Sequence, residues 1–307
     1  MDAGAAFCNV AAASVISACL ALVSCAGMGG PAPSAPAPPP ETPHDKVVRL
    51  ASEIRKAAYA DDGERLEALV EEMAPYADEG KGEGEGGALA SRAHYWRGFA
   101  LWRSAWNGMR IPAGDPPTRE SSTVEESLRA AVDELQKSSE EDPTFVEPRI
   151  VQLACLEELA PTVPASERPK EYRRLWDLLV ETQKQAPQNP RLAWVFGTVK
   201  WDTPVKQGGG QDKAVQTFRD GLDWVRKQTI ADATDPAWGE AELLLGLAEA
   251  RFRGKPQNLD AAGHYAAAAL NIEPDWRYVK DILIPQIQAA KEKANAPPAA
   301  TPKRRPS

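Results

Sequence analysis

Residues 131–143, AVDELQKSSEEDP, and residues 262–274, AGHYAAAALNIEP, share one arrangement of side chains that decides how the chain can fold. The shared positions are Ala131, Leu135, Ser138 and Pro143 in the first stretch and Ala262, Ala266, Ala269 and Pro274 in the second. Residues four and three apart lie on one face of a helix, and small residues there let a neighbouring helix approach closely. Because proline suits the first turn of the next helix, the spacing predicts helices packed in successive pairs.

Helical periodicity continues through the chain after Pro43. Apolar residues recur at intervals of three and four, as in Leu66, Leu69, Val70 and Met73. The strict apolar alternation typical of strands is absent, and Asn189-Pro190 is typical of a helix start. We therefore expect an all-α domain over residues 44–292, followed by a disordered tail over residues 293–307.

The prolines divide this domain at regular intervals. Pro143, Pro190, Pro236 and Pro274 follow one another after 47, 46 and 38 residues. A period of this length favours a solenoid of helix pairs over a single bundle. We expect the last segment, Pro274 to Ile287, to cap the apolar end of the solenoid.

A second pattern lies in the first helix of several predicted pairs. Tyr95, Gly98 and Leu101 place glycine between two apolar residues, and Trp194 with Gly197 and Leu243 with Gly246 repeat the first two positions. Together with the small residues above, this pattern resembles the tetratricopeptide repeat over residues 88–292. Lys200 and Glu249 depart from the family's apolar third position. The resemblance implies a right-handed superhelical solenoid, and a HEAT-like or irregular helical solenoid is the alternative.

The resemblance also implies a concave groove that holds a peptide or protein partner. The first helices of the pairs would line it with Arg92, Tyr95, Phe99, Trp102, Arg103, Arg191, Trp194, Trp201, Leu243 and Arg251. Aromatic rings interleaved with arginines are typical of interface anchors. The alternative is that these tryptophans fill the spaces between helices.

Composition excludes several functions. The net charge is −8 at pH 7 and no basic stripe is present, which argues against nucleic-acid binding. The chain has three histidines, and Cys155 is the one cysteine after residue 25. These residues are too few for a typical metal cluster or disulfide framework, so we expect no metal and no cofactor.

The N-terminus is typical of an exported protein. Val10 to Ser24 is an uncharged apolar run of signal-peptide length, and Leu22-Val23-Ser24-Cys25 resembles the lipobox of bacterial lipoproteins. The resemblance implies a signal peptide over residues 1–24 and lipid on Cys25, and Ala26 after that cysteine implies the outer membrane. Met1 to Asn9 lacks the usual Lys or Arg, which leaves open whether Met1 is the true start; the alternative to a signal peptide is a buried apolar helix.

Residues 25–43 form a linker between the lipidated cysteine and the helical domain. Seven prolines stand in this segment among Ala, Gly and Ser. Such a sequence favours disordered, extended polyproline II conformation and would reach roughly 50 Å at about 3.1 Å per residue. It predicts a stalk that holds the domain away from a bilayer.

The remaining candidate residues have ordinary structural interpretations beside the functional ones. Gly208-Gly209-Gly210 is either a tight turn or an anion site, and it lacks the ending of a phosphate loop. His94 and His264 stand in no hydrolase motif. Cys155 has apolar neighbours and is typical of a buried thiol.

These observations predict a non-catalytic protein of the bacterial envelope. We expect a lipid-anchored, periplasm-facing helical-repeat protein that binds another protein or peptide. One alternative is an accessory component of a solute-uptake transporter that binds a small ligand or a solute-binding subunit. A second is an all-helical hydrolase using Asp202 and Asp212. The sequence leaves the oligomeric state open.

Overall fold

The computed structural model describes residues 40–78, 85–109 and 121–295. Within these ranges the chain forms eleven α-helices and no strand. The helices are α1 (Pro43–Ala60), α2 (Gly63–Asp78), α3 (Glu85–Met109), α4 (Ser121–Glu141), α5 (Glu147–Leu159), α6 (Arg168–Gln185), α7 (Pro190–Asp202), α8 (Gln211–Val225), α9 (Glu240–Arg253), α10 (Leu259–Ile272) and α11 (Ile284–Asn295). The predicted signal peptide, Cys25, nearly all of the predicted linker and the residues after 295 lie outside the described residues. The all-α prediction is confirmed.

Consecutive helices pack against each other along the chain. The most extensive contacts join α3 to α4, α7 to α8 and α9 to α10, and further contacts join α4 to α5 and α8 to α9. The first helix of each pair also contacts the first helix of the next pair: α3 contacts α5, α5 contacts α7 and α7 contacts α9. One junction differs, because α6 packs on α5 and makes no comparable contact with α7 among the described residues.

Glycine at the predicted positions allows the helices to approach closely. A Cβ atom added at Gly197 of α7 would lie 2.2 Å from the ring of Phe218, and one added at Gly246 of α9 would lie 2.8 Å from the same ring. Phe218, which is 2 % exposed, therefore packs on both glycines and joins α7, α8 and α9. The pattern identified in the sequence thus places one aromatic ring between three helices.

The first helix of the described domain, α1, contacts α9 and the residues that follow α10. Tyr59, near the end of α1, donates a hydrogen bond of 2.6 Å to Glu242 of α9, and its ring lies 5.0 Å from that of Trp276. Arg55 donates to Glu273 at 2.6 Å. The contacts span up to 218 residues of sequence. The predicted capping segment is buried at Trp276 and Val279, but Trp276 also contacts the start of the array, so the described domain closes on itself.

Candidate functional site

Six of the ten predicted groove residues converge, but what they contact is a segment of the same chain. They are Arg92, Tyr95, Phe99, Trp102, Arg191 and Trp194. The segment between α8 and α9 places Trp238, 2 % exposed, among the first helices. Its indole Nε1 donates to the hydroxyl of Tyr95 at 2.7 Å. Its ring lies 5.5 Å from that of Phe99, 5.9 Å from Trp102 and 6.1 Å from Trp194.

Hydrogen bonds hold the other residues of this segment in place. Arg92 donates to Asp235 at 3.0 Å, and the indole of Trp96 donates to the carbonyl of Thr234 at 2.8 Å. Arg191 donates to the carbonyl of Trp238 at 2.9 Å. The expected open groove is therefore closed along this stretch by the chain itself. An internal segment can fill such an aromatic surface at small additional entropic cost, because it is already tethered at both ends.

The structure places the remaining predicted groove residues in different surroundings. Arg103 and Leu243 are 0 % exposed, so a partner does not reach them in this conformation. The guanidinium carbon of Arg103 lies 4.7 Å from the ring centroid of Trp106 and 4.9 Å from that of Tyr59. Arg251 is partly exposed and does not line the cleft described next.

A cleft remains open beside the filled part of the groove. It has a volume of about 340 Å³ and lies between α3, α5, α7 and α9, with Phe218 of α8 also in its lining. Trp194, Thr198 and Trp201 line it from α7, in the register predicted from the sequence. The other large or charged lining residues are Trp106, Met109, Glu157, Glu158, Asp202, Leu245, Glu249 and Arg253.

Hydrogen bonds orient several of the cleft's polar side chains. Thr198 donates to Glu157 at 2.7 Å, which joins α7 to α5. Glu249 accepts a bond of 2.5 Å from the hydroxyl of Tyr278 and one of 3.1 Å from Arg253. Glu157 is therefore held by a donor from another helix, and Glu249 by Tyr278 and by Arg253 of the next turn of α9.

The lining combines aromatic surface with excess negative charge. Four described lining residues are acidic, whereas one, Arg253, is basic. Carboxylates attract cations, and the faces of tryptophan rings do so as well, most strongly where water is partly excluded. The cleft thus has the chemistry to hold a positively charged group attached to an apolar body.

Sequence reasoning named Asp202, for a hydrolase, but missed the other three acidic residues of this site. Glu157 and Glu158 belong to α5, whose sequence matches the repeat pattern poorly. Glu249 occupies the third position of the first-helix pattern, where the related family has an apolar residue. That departure was the sequence signal that could have identified the acidic site. Burying a charge on the inner side of a repeat costs free energy unless the charge has partners or a ligand.

The other candidate residues have structural roles. Gly208 and Gly210 have φ of +89° and +99°, and a Cβ on Gly209 would lie 2.2 Å from the carbonyl oxygen of Thr203, so the glycines are required by the turn. Cys155 is fully buried, and burial raises the pKa of its thiol well above the usual range. His264 is exposed on α10.

The carboxylates named for a hydrolase are not both in the cleft. Asp202 lines it, whereas Asp212 lies in the first turn of α8 and is not part of the lining. His94 is buried with its Nδ1 2.8 Å from Glu134. Among the described residues, no group of three His, Cys, Asp or Glu side chains is placed to hold a metal ion. No helix of the described ranges is long and apolar enough to cross a membrane.

The chain has structural similarity to a solved protein but matches no known sequence family. No protein-family model matches the chain, and no curated protein matches it. The chain is similar to the solved structure of the HusA haemophore from Porphyromonas gingivalis, with 19% sequence identity and a TM-score of 0.47. The similarity covers 70% of this chain and 93% of that one.

Proposed function

We propose that the protein is a non-catalytic binding protein of the bacterial envelope that holds a positively charged segment of a partner protein in its aromatic cleft. The domain would be a tetratricopeptide-like helical solenoid closed on itself. Lipid on Cys25 would anchor it to the outer membrane, with the domain facing the periplasm at the end of the proline-rich linker.

The composition of the cleft is the observation that carries this proposal. Trp194 and Trp201 line the cleft from one helix, while Glu157 and Glu249 stand on the two neighbouring helices. A lysine or arginine side chain combines an apolar stem with a cationic end and so suits both surfaces. The cleft opens next to the segment that fills the rest of the groove, which leaves room for a short stretch of a partner.

A small cationic solute is the second candidate ligand. The cleft volume of about 340 Å³ falls within the range of pockets that hold small molecules. Such a ligand would agree with an accessory role in solute uptake. Native mass spectrometry of the protein purified from its own host separates this candidate from the first, because a retained small molecule adds a defined mass.

In-cell cross-linking of the full-length chain tests the proposal. The variant Trp201→Ala removes a partly buried ring from the cleft wall. Trp224→Ala is the matched control, because Trp224 is also partly buried against the core but does not line the cleft. Mass spectrometry then identifies the captured proteins and the cross-linked segment.

The expected result is one partner captured through a segment containing Lys or Arg by the unchanged chain and by Trp224→Ala, and lost in Trp201→Ala. Circular dichroism of both variants should match the unchanged chain. Equal capture by the two variants, or capture through an acidic segment, would overturn the proposal. Turnover of a substrate by the purified domain would overturn its non-catalytic part.

A further inference from the structure

Helix α6 carries a stripe of large apolar side chains on the surface. Tyr172 and Trp176 are each 51% exposed, and Val180 is 40% exposed. They follow one another at intervals of four and so lie along one side of the helix. Three large apolar residues on successive turns of one exposed helix side indicate a contact surface.

The stripe lies where the helical array is interrupted. In neighbouring pairs the second helix packs on the first helix of the next pair, as α4 does on α5 and α8 on α9. The helix α6 makes no comparable contact with α7 among the described residues, and its buried residues, Glu171, Leu175, Leu179 and Thr182, lie on the adjacent side of the helix. The side that a following helix would cover is therefore open.

We infer that this stripe, Tyr172 with Trp176 and Val180, is the contact between two copies of the chain. The α6 helices of the two copies lie antiparallel across a two-fold axis that passes beside Trp176. In this arrangement Trp176 meets the partner's Trp176, and Tyr172 lies opposite the partner's Val180. A two-fold contact uses the same surface on both copies, so one stripe is sufficient.

The charged residues beside the stripe favour a second copy of the chain as the partner and an antiparallel orientation of the two α6 helices. Arg173 stands three residues before Trp176 and Asp177 one residue after it; at 1.5 Å per residue, Arg173 comes within about 3 Å along the axis of the partner's Asp177. This pair occurs twice by symmetry.

A parallel arrangement of the same helices would place like charges side by side. It would also align the two helix dipoles unfavourably, whereas the antiparallel arrangement opposes them. The charge pattern of α6 therefore selects a second, reversed copy of itself. The proposed contact is independent of the cleft, because none of its residues lines that site.

The contact is small, which decides how it should be detected. An 18-residue helix is about 27 Å long, so the area buried by two such helices falls at the low end of specific interfaces. Covalent trapping in the membrane of cells that express the full-length chain detects such a contact. Trp176→Cys places a thiol at the axis, within reach of its equivalent in the second copy.

The control is Lys184→Cys, which is also an exposed position on the same helix. At 12 Å from the axis along each helix, it is too far from its equivalent for a disulfide. Under mild oxidation we expect about tenfold more disulfide dimer from Trp176→Cys than from Lys184→Cys. Co-expressed Tyr172→Cys and Val180→Cys should cross-link to each other but not to themselves.

Equal dimer yields from Trp176→Cys and Lys184→Cys would overturn the inference. Self-linking of Tyr172→Cys would do so as well, since it requires a parallel contact. A disulfide from Trp176→Cys to a different protein would assign the stripe to another partner and also contradict the inference. Circular dichroism of each variant checks that the helical fold is retained.

Discussion

Arg191 and Glu147 form a buried bidentate ion pair although 44 residues separate them. The guanidinium Nε and Nη2 donate to the two carboxylate oxygens at 2.6 and 2.7 Å, and both side chains are almost fully buried. Asn189, which caps α7, also donates to Glu147 at 2.6 Å. Burial lowers the pKa of Arg191, but Glu147, together with Tyr95 and Glu242, more than reverses this effect, so the net pKa is raised and the arginine stays charged. The pair fixes α5, the start of α7 and the segment containing Trp238 relative to one another.

Removal of one member of this pair should be costly. Arg191→Ala leaves the Glu147 carboxylate buried without its main donor, and we expect a loss of about 3–5 kcal/mol in the free energy of unfolding. Arg149→Ala is the matched control on α5, because its partner Glu181 is 59% exposed and such a surface pair contributes at most about 1 kcal/mol. Urea unfolding measures both variants. Similar losses of unfolding free energy in Arg191→Ala and Arg149→Ala would show that burial does not make the Arg191 pair more important for stability.

Two helical glycines should respond in opposite directions to the same change. Gly197→Ala inserts a methyl group where the ring of Phe218 lies, and we expect a destabilisation of about 1–3 kcal/mol. Gly263→Ala, within α10, meets no atom closer than 3.7 Å and should be neutral or stabilise the fold by up to about 1 kcal/mol. Thermal unfolding of the two variants makes the comparison. Stabilisation by Gly197→Ala would contradict the close packing at that position.

The helices and their contact glycines could be predicted because their signals are local. Spacing of apolar residues by three and four determines which side of a helix is buried, and Gly197 and Gly246 mark where a ring must fit. The register placed Trp194 and Trp201 on one side of α7, and both residues line the cleft. Each of these inferences needs only a few neighbouring residues.

The closure of the array could not be predicted in the same way. It depends on contacts such as Tyr59 with Glu242 and Trp238 with Tyr95, whose members are separated by 183 and 143 residues. No local pattern specifies which tryptophan fills the inner surface of a repeat. Tyr95, Phe99 and Trp102 were therefore expected to face a partner, with the filling of space between helices as the alternative, and the structure packs all three against Trp238.

The carboxylate of Glu134 should make stability depend on pH. Burial alone would raise its pKa, but the hydrogen bonds with His94 and Lys137 and the charge of Arg97 have the larger combined effect and lower it. A lowered folded-state pKa means that the unfolded chain binds this proton more tightly. The stabilisation is then fully present above the ordinary pKa of about 4.5 and is lost as the pH falls through the folded-state value.

The variant Glu134→Gln isolates this contribution. We expect the difference in unfolding free energy between the unchanged chain and Glu134→Gln to be largest near neutral pH and to shrink as the solution is acidified below the ordinary pKa. Glu126→Gln, at an exposed position on the same helix, controls for the loss of one negative charge. Urea unfolding over a series of pH values provides the measurement. A pH-independent difference for Glu134→Gln would contradict the assignment.

The hydroxyl of Tyr59 should hold the first helix to the end of the array. It donates to a fully buried carboxylate, Glu242, and burial, with Glu242 nearby, raises the pKa of Tyr59 so that the donor keeps its proton. Tyr59→Phe removes one bond to a charged acceptor, and we expect a loss of about 1.5–3 kcal/mol. Tyr76→Phe on α2 is the control, because its hydroxyl has no hydrogen-bond partner among the described residues, and it should change stability by less than about 0.5 kcal/mol. Hydrogen exchange locates the effect: protection should fall in α1 and α9 together if the bond closes the array, whereas a loss confined to α1 would show that closure does not depend on it.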